Sequence, residues 1–172
     1  MKLLRVGELG REVVAALDSN NVIRDLSDHI KDLSPQTINE DTLNKLKRIK
    51  LSEQNEINSN IRIGACISNP VDFFAIGLNY KAHAEGTKSK LPTEPIVFNK
   101  SSGCIQGPND QIIRPKSAYK MDYEVEVGMI IGREGKYIKE ENAQDYVFGY
   151  CIVNDISERS WQKERGGQWI KG

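Results

Sequence analysis

Residues Asp122–Gly132 read DYEVEVGMIIG, and the period of these side chains decides what kind of fold to expect. Apolar and charged residues alternate over Tyr123–Val127, which marks a strand, because successive side chains point to opposite sides. Glu124 and Glu126 therefore share a side. One arrangement turns Val125 and Val127 inward and leaves both glutamates in water. The other places a cation between two carboxylates that would otherwise repel each other. The residues alone leave both open. The neighbouring run Val127–Ile131 is expected to carry the strand into the core.

The surrounding texture is also rich in strands. DFFAIGLNY, PIVFNKSS, QIIRP and FGYCIVND each read as a strand closed by Gly, Pro or Asp. KEENAQDYV has helical character, and SERSWQKER reads as a short helix beginning at Ser157. Few helices separate the strands, so the expectation is α+β with a mixed β-roll rather than a doubly wound sheet. Upstream, MKLLRV to IRDLS reads as short strands, with Asp18–Asn21 as a hairpin turn. SPQTINEDTLNKLKRIK reads as a helix capped by Thr37 with Glu40 or by Asn39, with Leu43, Leu46 and Ile49 on one stripe. Leu51–Asn60 is polar and turn-rich, a linker by composition. The expected division is a small N-terminal α+β region with its linker over 1–60 and a β-rich region over 61–172. GGQWIKG reads as the start of a further element, so the chain is expected to be a fragment.

Charge is balanced, with 24 Lys plus Arg against 24 Asp plus Glu in 172 residues. Nucleic acid and anionic membrane are therefore not expected partners, since both call for a clustered basic excess. The three cysteines, Cys66, Cys104 and Cys151, are far apart with no C-x-x-C pair. They read as reduced thiols in a cytoplasmic protein. The N-terminus lacks a sustained apolar stretch of signal type, and no run approaches the ~20 apolar residues of a membrane span.

No P-loop, dinucleotide fingerprint, nucleophile elbow or zincin motif is present. With only His29 and His83 and no paired cysteines, zinc is poorly supplied. A metal would be held by oxygens, which suits Mg²⁺, Mn²⁺ or Ca²⁺. Asp155 ends a strand, where it can serve as a ligand or simply bond nearby backbone N–H groups. His83 lies just past a strand end, a common place for functional side chains. Arg159 and Gln162 are one helical turn apart and can face the same way.

Taken in order, GLNYKAHAEG, EPIVFNKSSGCIQGPND, DYEVEVGMIIGREGKYI and DYVFGYCIVNDISERSWQKERGGQWIKG resemble the fumarylacetoacetate hydrolase family. The flavour is that of the bacterial branch labelled ureidoglycolate lyase or 2,4-dioxo-3-deoxy sugar-acid hydrolase. The resemblance runs from about Phe74 to the end. It implies a mixed β-roll, usually dimeric, and Mg²⁺ or Mn²⁺ held by Glu124, Glu126 and Asp155. It makes His83 the general base and places Lys100, Arg159 and Gln162 at the substrate. Family members often carry a glutamate three residues after the histidine. Here Gly86 stands in that place and Glu85 is the nearest acid, so Glu85 is the candidate partner. The implied substrate is a 2-oxo or 2,4-dioxo acid, with C–C hydrolysis as the leading reaction. Lyase, decarboxylase and isomerase chemistry share the same enolate. The family motif continues past the residues matching Gln168 and Trp169 to a lysine this chain does not reach, so a truncated, non-catalytic binder of metal and 2-oxo acid is the remaining alternative.

Overall fold

A computed structural model describes residues 1–86 and 90–172, and for His83 the backbone alone. In chain order the strands and helices are β1 (Lys2–Val6), β2 (Val13–Leu17), β3 (Ile23–Asp25), α1 (Glu40–Lys47), β4 (Phe73–Gly77), α2 (Lys81–Gly86) and β5 (Ile96–Lys100). They continue as β6 (Met121–Asp122), β7 (Val125–Ile131), β8 (Val147–Asn154), β9 (Ser157–Glu158) and α3 (Arg159–Lys163). The chain divides into two compact units. The first comprises Met1–Pro70, Gln106–Ile113 and Tyr123–Asp155; the second comprises Val71–Ile105, Arg114–Asp122 and Ile156–Gly172.

In the first unit β1, β2 and β3 form an antiparallel meander in that order. Strand β2, VVAAL, has apolar residues on both sides because each side meets a core. Val14 and Ala16 join Leu26, Ile30, Leu33, Ile38 and Leu46. Ala15 joins Val6 and Ile23, flanked by Ile57, Ile61 and Ile63. The turn expected at Asp18–Asn21 is present. The Asp18 carboxylate accepts from Asn20 N at 2.8 Å and Val22 N at 3.0 Å, and Asn21 takes φ 61°, a left-handed value asparagine tolerates well. Of the two expected caps for α1, Asn39 is used: its side chain accepts from Thr42 N at 2.9 Å. Thr37 instead caps the preceding turn, accepting from Ser34 N at 2.9 Å. Leu46 is fully buried and Ile49 packs against the same cluster. Leu51–Asn60 is laid along β3, with Asp25 N donating to Asn55 O and Ile57 N to Ile23 O, both at 2.9 Å.

Two arginines organise this unit. Arg5, 7% exposed, donates from Nε to Asp32 Oδ1 at 2.6 Å and from Nη2 to Glu12 Oε2 at 3.3 Å. Arg62 joins Glu12 Oε1 at 2.8 Å to Asp110 Oδ2 at 2.6 Å. Burial pushes the Glu12 carboxyl up, but the hydrogen bond from Arg62 and the charge of Arg5 outweigh it and hold Glu12 below the usual range. Asp32 shows the same balance, with Arg5 and Ser68 overcoming burial, and Asp110 is lowered chiefly by its bond from Arg62. Depressed acids stabilise the fold fully above their ordinary values near 4 and lose that contribution as pH falls through their folded values. The midpoint of thermal unfolding should therefore stay flat from about pH 7 to 5 and drop below about pH 4. Melts followed by circular dichroism test this; an unchanged midpoint at pH 2.5 would overturn it.

Strands β7 and β8 form an antiparallel ladder from Val125↔Asn154 to Met129↔Tyr150, with a register shift between Ile130 and Ile131. Of the two facings the sequence left open, the valines are not the inward side, and most of Val127–Ile131 does not enter the core as expected. Val125 is 71% exposed and Val127, Met129 and Ile131 are exposed too, as are Tyr150 and Ile152 across the ladder. Glu126, Gly128 and Ile130 occupy the half-buried side. Of the run expected to enter the core, Ile130 is the member packed against the Leu26–Leu46 cluster, beside Phe148 of β8. The stretch is apolar on both sides beyond Glu126, so alternation could not say which side turns inward. Gly128 is required here: a Cβ would lie 2.8 Å from Cys151 Sγ and from Val153 Cγ2.

Three further expectations are corrected. QIIRP forms no strand; Ile112 and Ile113 are exposed, and apolar β-formers without a partner strand gain no ladder. KEENAQDYV forms 3₁₀ turns over Glu140–Tyr146 rather than an α-helix, and SERSWQKER begins with β9, so its helix starts at Arg159. In the second unit β4 pairs antiparallel with β5, and β6 with β9. Trp169, in a 3₁₀ turn, meets Phe98 of β5 edge-on at 5.1 Å, a favoured aromatic geometry. Among the described residues no helix is long and apolar enough to cross a membrane.

Candidate functional site

The carboxylates singled out in the sequence come from one end of the β7–β8 ladder. Glu126 faces Val153, Val125 faces Asn154, and one step further Asp155 N donates to Glu124 O at 2.8 Å. Glu124 immediately precedes β7 and Asp155 immediately follows β8, so each sits where a strand frays into a loop. All three are half-buried on the same alternation as Gly128 and Cys151, opposite the exposed valines. Register therefore places Glu124, Glu126 and Asp155 side by side on one face. Three carboxylates are a suitable donor set for a hard divalent cation. Their side chains stop short of a coordination shell: among the described residues no group of three or more His, Cys, Asp or Glu gathers closely enough to hold a metal ion.

The basic and amide candidates belong to the second unit. Arg159 opens α3, and its guanidinium donates from Nε and Nη2 to Asp122 Oδ2, at 2.9 and 2.8 Å, and from Nη1 to Gln162 Oε1 at 3.1 Å. The helical spacing expected to bring Arg159 and Gln162 together does so. Arg159 N also donates to Lys120 O at 3.0 Å, tying the helix start to the chain leading into β6. Beside it Glu158 is almost wholly buried. Its carboxylate accepts from Ser160 N at 3.1 Å, Ser160 Oγ at 2.5 Å and Lys120 N at 2.9 Å. Burial pushes Glu158 up, but these bonds, led by Ser160, outweigh it and hold the carboxyl below its usual range. Lys100 ends β5 opposite Phe73 and is half-buried. Glu85 is exposed on α2, with Oε1 3.9 Å from Lys81 Nζ. His83 lies on α2 as well, but its side chain falls outside the described residues.

Sequence reasoning overlooked Asp122, which holds the Arg159 guanidinium, and Glu158, which caps the helix that Arg159 opens. Asp122 lies 37 positions before Arg159, and its role follows from the β6–β9 pairing, which no local pattern announces. Glu158 stands inside the SERSWQ stretch that drew attention. A capping carboxylate two residues before Ser160 was the available signal, since the Glu158 side chain accepts from the first-turn N–H of Ser160.

Comparison with known proteins gives these positions a context. The family model described as fumarylacetoacetate (FAA) hydrolase C-terminal matches residues 72–172. A protein of Burkholderia ambifaria carrying the name “Putative hydrolase” is 48% identical over 172 residues, all of this chain and 61% of that protein. Among solved structures, a fumarylacetoacetate hydrolase from Exiguobacterium antarcticum superposes with TM-score 0.74 at 26% identity, covering 100% of this chain and 61% of its own. A 5-carboxymethyl-2-hydroxymuconate delta-isomerase from Mycobacterium smegmatis superposes with TM-score 0.70 at 25% identity, covering 99% and 60%. The chain thus spans about three fifths of the length of the relatives it matches. Its strand-rich α+β architecture is the fumarylacetoacetate hydrolase type, present here in part. With more than half of its residues matched by the family model, the chain belongs to the fumarylacetoacetate hydrolase family.

Proposed function

We propose that this chain supplies part of a divalent-metal-dependent hydrolase that cleaves a C–C bond in 2,4-dioxo acids. The observation that carries the reading is the placement of Glu124, Glu126 and Asp155 on one face at one end of the β7–β8 ladder. Those three would hold Mg²⁺ or Mn²⁺, with Ca²⁺ a third oxygen-seeking candidate. When bound, the cation would supply electrostatic stabilisation of negative charge on the 2-keto oxygen of the substrate.

The remaining roles fall to side chains of the second unit. Arg159, already oriented by Asp122 and Gln162, suits a planar carboxylate or a carbonyl oxygen, and an oriented fork loses little freedom on binding. Gln162 would add a polar contact and Lys100 a point charge. His83 would take a proton from water, which attacks the distal carbonyl, with Glu85 as the acid nearest in sequence to support it. The C–C bond then breaks, and the pyruvate-type fragment leaves as its enolate and is protonated. The protein is proposed to be a cytoplasmic homodimer whose partner molecules are small acids rather than nucleic acid or membrane. Its proposed division is a small N-terminal region over 1–60 and the catalytic part from 61 onward.

A second reading, isomerisation of a 2-oxo acid, is favoured by the names of relatives such as the M. smegmatis delta-isomerase. Both use the same enolate. The deciding experiment incubates the 172-residue protein with acetylpyruvate and Mg²⁺ or Mn²⁺. Expected is release of acetate and pyruvate, abolished by EDTA and restored by added metal. Turnover indifferent to EDTA would overturn metal dependence. Metal-dependent rearrangement of an unsaturated 2-hydroxy diacid, with no cleavage products, would assign the isomerase. Oxalate binding with no product from either substrate would assign the non-catalytic binder.

A further inference from the structure

Arg159 can meet an acid through a carboxylate or through a keto oxygen, and one neighbouring side chain decides between them. A guanidinium recognises a carboxylate best through two donors on one edge, with its positive charge not yet paired. In Arg159 the Nε–Nη2 edge is occupied: both nitrogens donate to Asp122 Oδ2, at 2.9 and 2.8 Å. The third nitrogen, Nη1, donates to Gln162 Oε1 at 3.1 Å. The Arg159 side chain is 20% exposed and that of Asp122 46%, so salt screens their attraction less than it would an open surface pair.

Both backbones are fixed where the pair meets. Asp122 sits opposite the buried Ser157 in the β6–β9 ladder. Arg159 N donates to Lys120 O at 3.0 Å, while Lys120 N donates to the buried Glu158 carboxylate at 2.9 Å. Asp122 and the start of α3 are thus tied together on either side of the ion pair, and neither backbone has to move for it to form.

We propose that Asp122 is a positioning and specificity-determining residue: by neutralising the Arg159 guanidinium and occupying its Nε–Nη2 edge, it commits Arg159 to an uncharged carbonyl oxygen of the substrate and disfavours a second carboxylate there.

Asp122 has this role only if Arg159 meets the substrate as proposed above, and it narrows what that substrate can be. Together Arg159 and Asp122 carry no net charge. An acid arriving with a carboxylate at this end would place two negative charges on one positive one, and like charges brought together weaken binding. A carbonyl oxygen carries only a partial charge and accepts a hydrogen bond without competing with Asp122 for the cation. The substrate expected is therefore a 2-oxo acid whose far end is an uncharged acyl group, its one carboxylate being met elsewhere. Asp122 acts through Arg159 and touches no reacting atom.

The test uses 2-oxoglutarate and its 5-methyl ester, which differ in the charge at the far carbonyl and cannot undergo cleavage of a 2,4-dioxo acid. Each is titrated calorimetrically, with Mg²⁺, into the 172-residue protein, into Asp122→Asn and into Asp122→Glu, with circular dichroism confirming that the variants are folded. The parent should bind the ester at least about 10-fold more tightly than the diacid. Asp122→Asn should erase that preference by tightening the diacid about 10-fold, and Asp122→Glu should keep it. Damage to the fold would weaken both ligands, so a gain for the diacid separates specificity from a merely structural role. A parent that prefers the diacid, or an Asp122→Asn protein with the parent's preference, would overturn the assignment and leave the proposed reaction standing. Binding of neither ligand by the parent would overturn it too, and absence of acetylpyruvate turnover in the same preparation would take the proposed function with it.

Discussion

Glu126→Gln should weaken Mn²⁺ binding by roughly 100-fold or more, since loss of even an outer partner of a metal ligand costs 10–100-fold. Glutamine keeps the size of the side chain but removes the negative charge that a hard cation seeks. Glu126 is the carboxylate of the three that lies within the ladder, paired with Val153, so its backbone is the most firmly placed. Glu124 and Asp155 flank the strand ends and are joined by the Asp155 N to Glu124 O bond. Substitution at either should also weaken the cation, and Glu126→Gln should leave thermal stability close to that of the parent. Titration calorimetry with Mn²⁺ measures the effect, with Glu141→Gln, on an exposed 3₁₀ turn, as a control expected to bind normally. An unchanged Mn²⁺ affinity in Glu126→Gln would sink the metal assignment, because a cation held elsewhere would not notice the substitution.

Arg5→Met should cost about 3–5 kcal/mol of stability, the usual consequence of breaking a buried ion pair from one side. Methionine fills much of the space of the arginine stem, so the loss isolates the guanidinium. Without it Asp32 loses its 2.6 Å donor and Glu12 loses one of two arginine partners. Glu12 cannot escape to water, since its side chain is only 4% exposed. The Ala65 carbonyl loses its donor as well, which loosens the segment carrying Cys66. Urea unfolding followed by tryptophan fluorescence and circular dichroism reads the change, and the melting midpoint should drop by roughly 10 °C for a chain of this size. A loss below about 1 kcal/mol would show that Arg5 behaves as an exposed pair.

Local rules sufficed where short-range bonds decide the structure. The Asp18 turn and the Asn39 cap rest on interactions within a few residues, and both are present; DYEVEV and FGYCIVND, read as strands from their residue types, do form strands because each finds the other as its partner. The pairing of Arg159 with Gln162 was legible locally too, since one helical turn sets it. Local rules failed at QIIRP and KEENAQDYV. A β-rich run becomes a strand only beside a partner, and Glu140–Tyr146 closes into 3₁₀ turns before an α-helix is established. The linker composition of Leu51–Asn60 gave no sign that Asn55 and Ile57 would bond along β3, because backbone donors and acceptors carry no residue signature.

By itself the sequence determined the strand-rich α+β class, the turn at Asp18–Asn21, and the run of chemical groups that points to one family. It also determined that Glu124 and Glu126 share a side, because alternation is a property of the single strand. Only the tertiary structure decided which side that is. Ile130 and Phe148 turn toward the N-terminal core, carrying Glu126 to the half-buried face and leaving the valines exposed. Pairing across the ladder likewise set Asp155 beside Glu124 and Cys151 over Gly128. These contacts join residues 23 positions apart for Gly128 and Cys151 and 31 for Glu124 and Asp155. No short-range preference specifies contacts of that span; burial and register decide them.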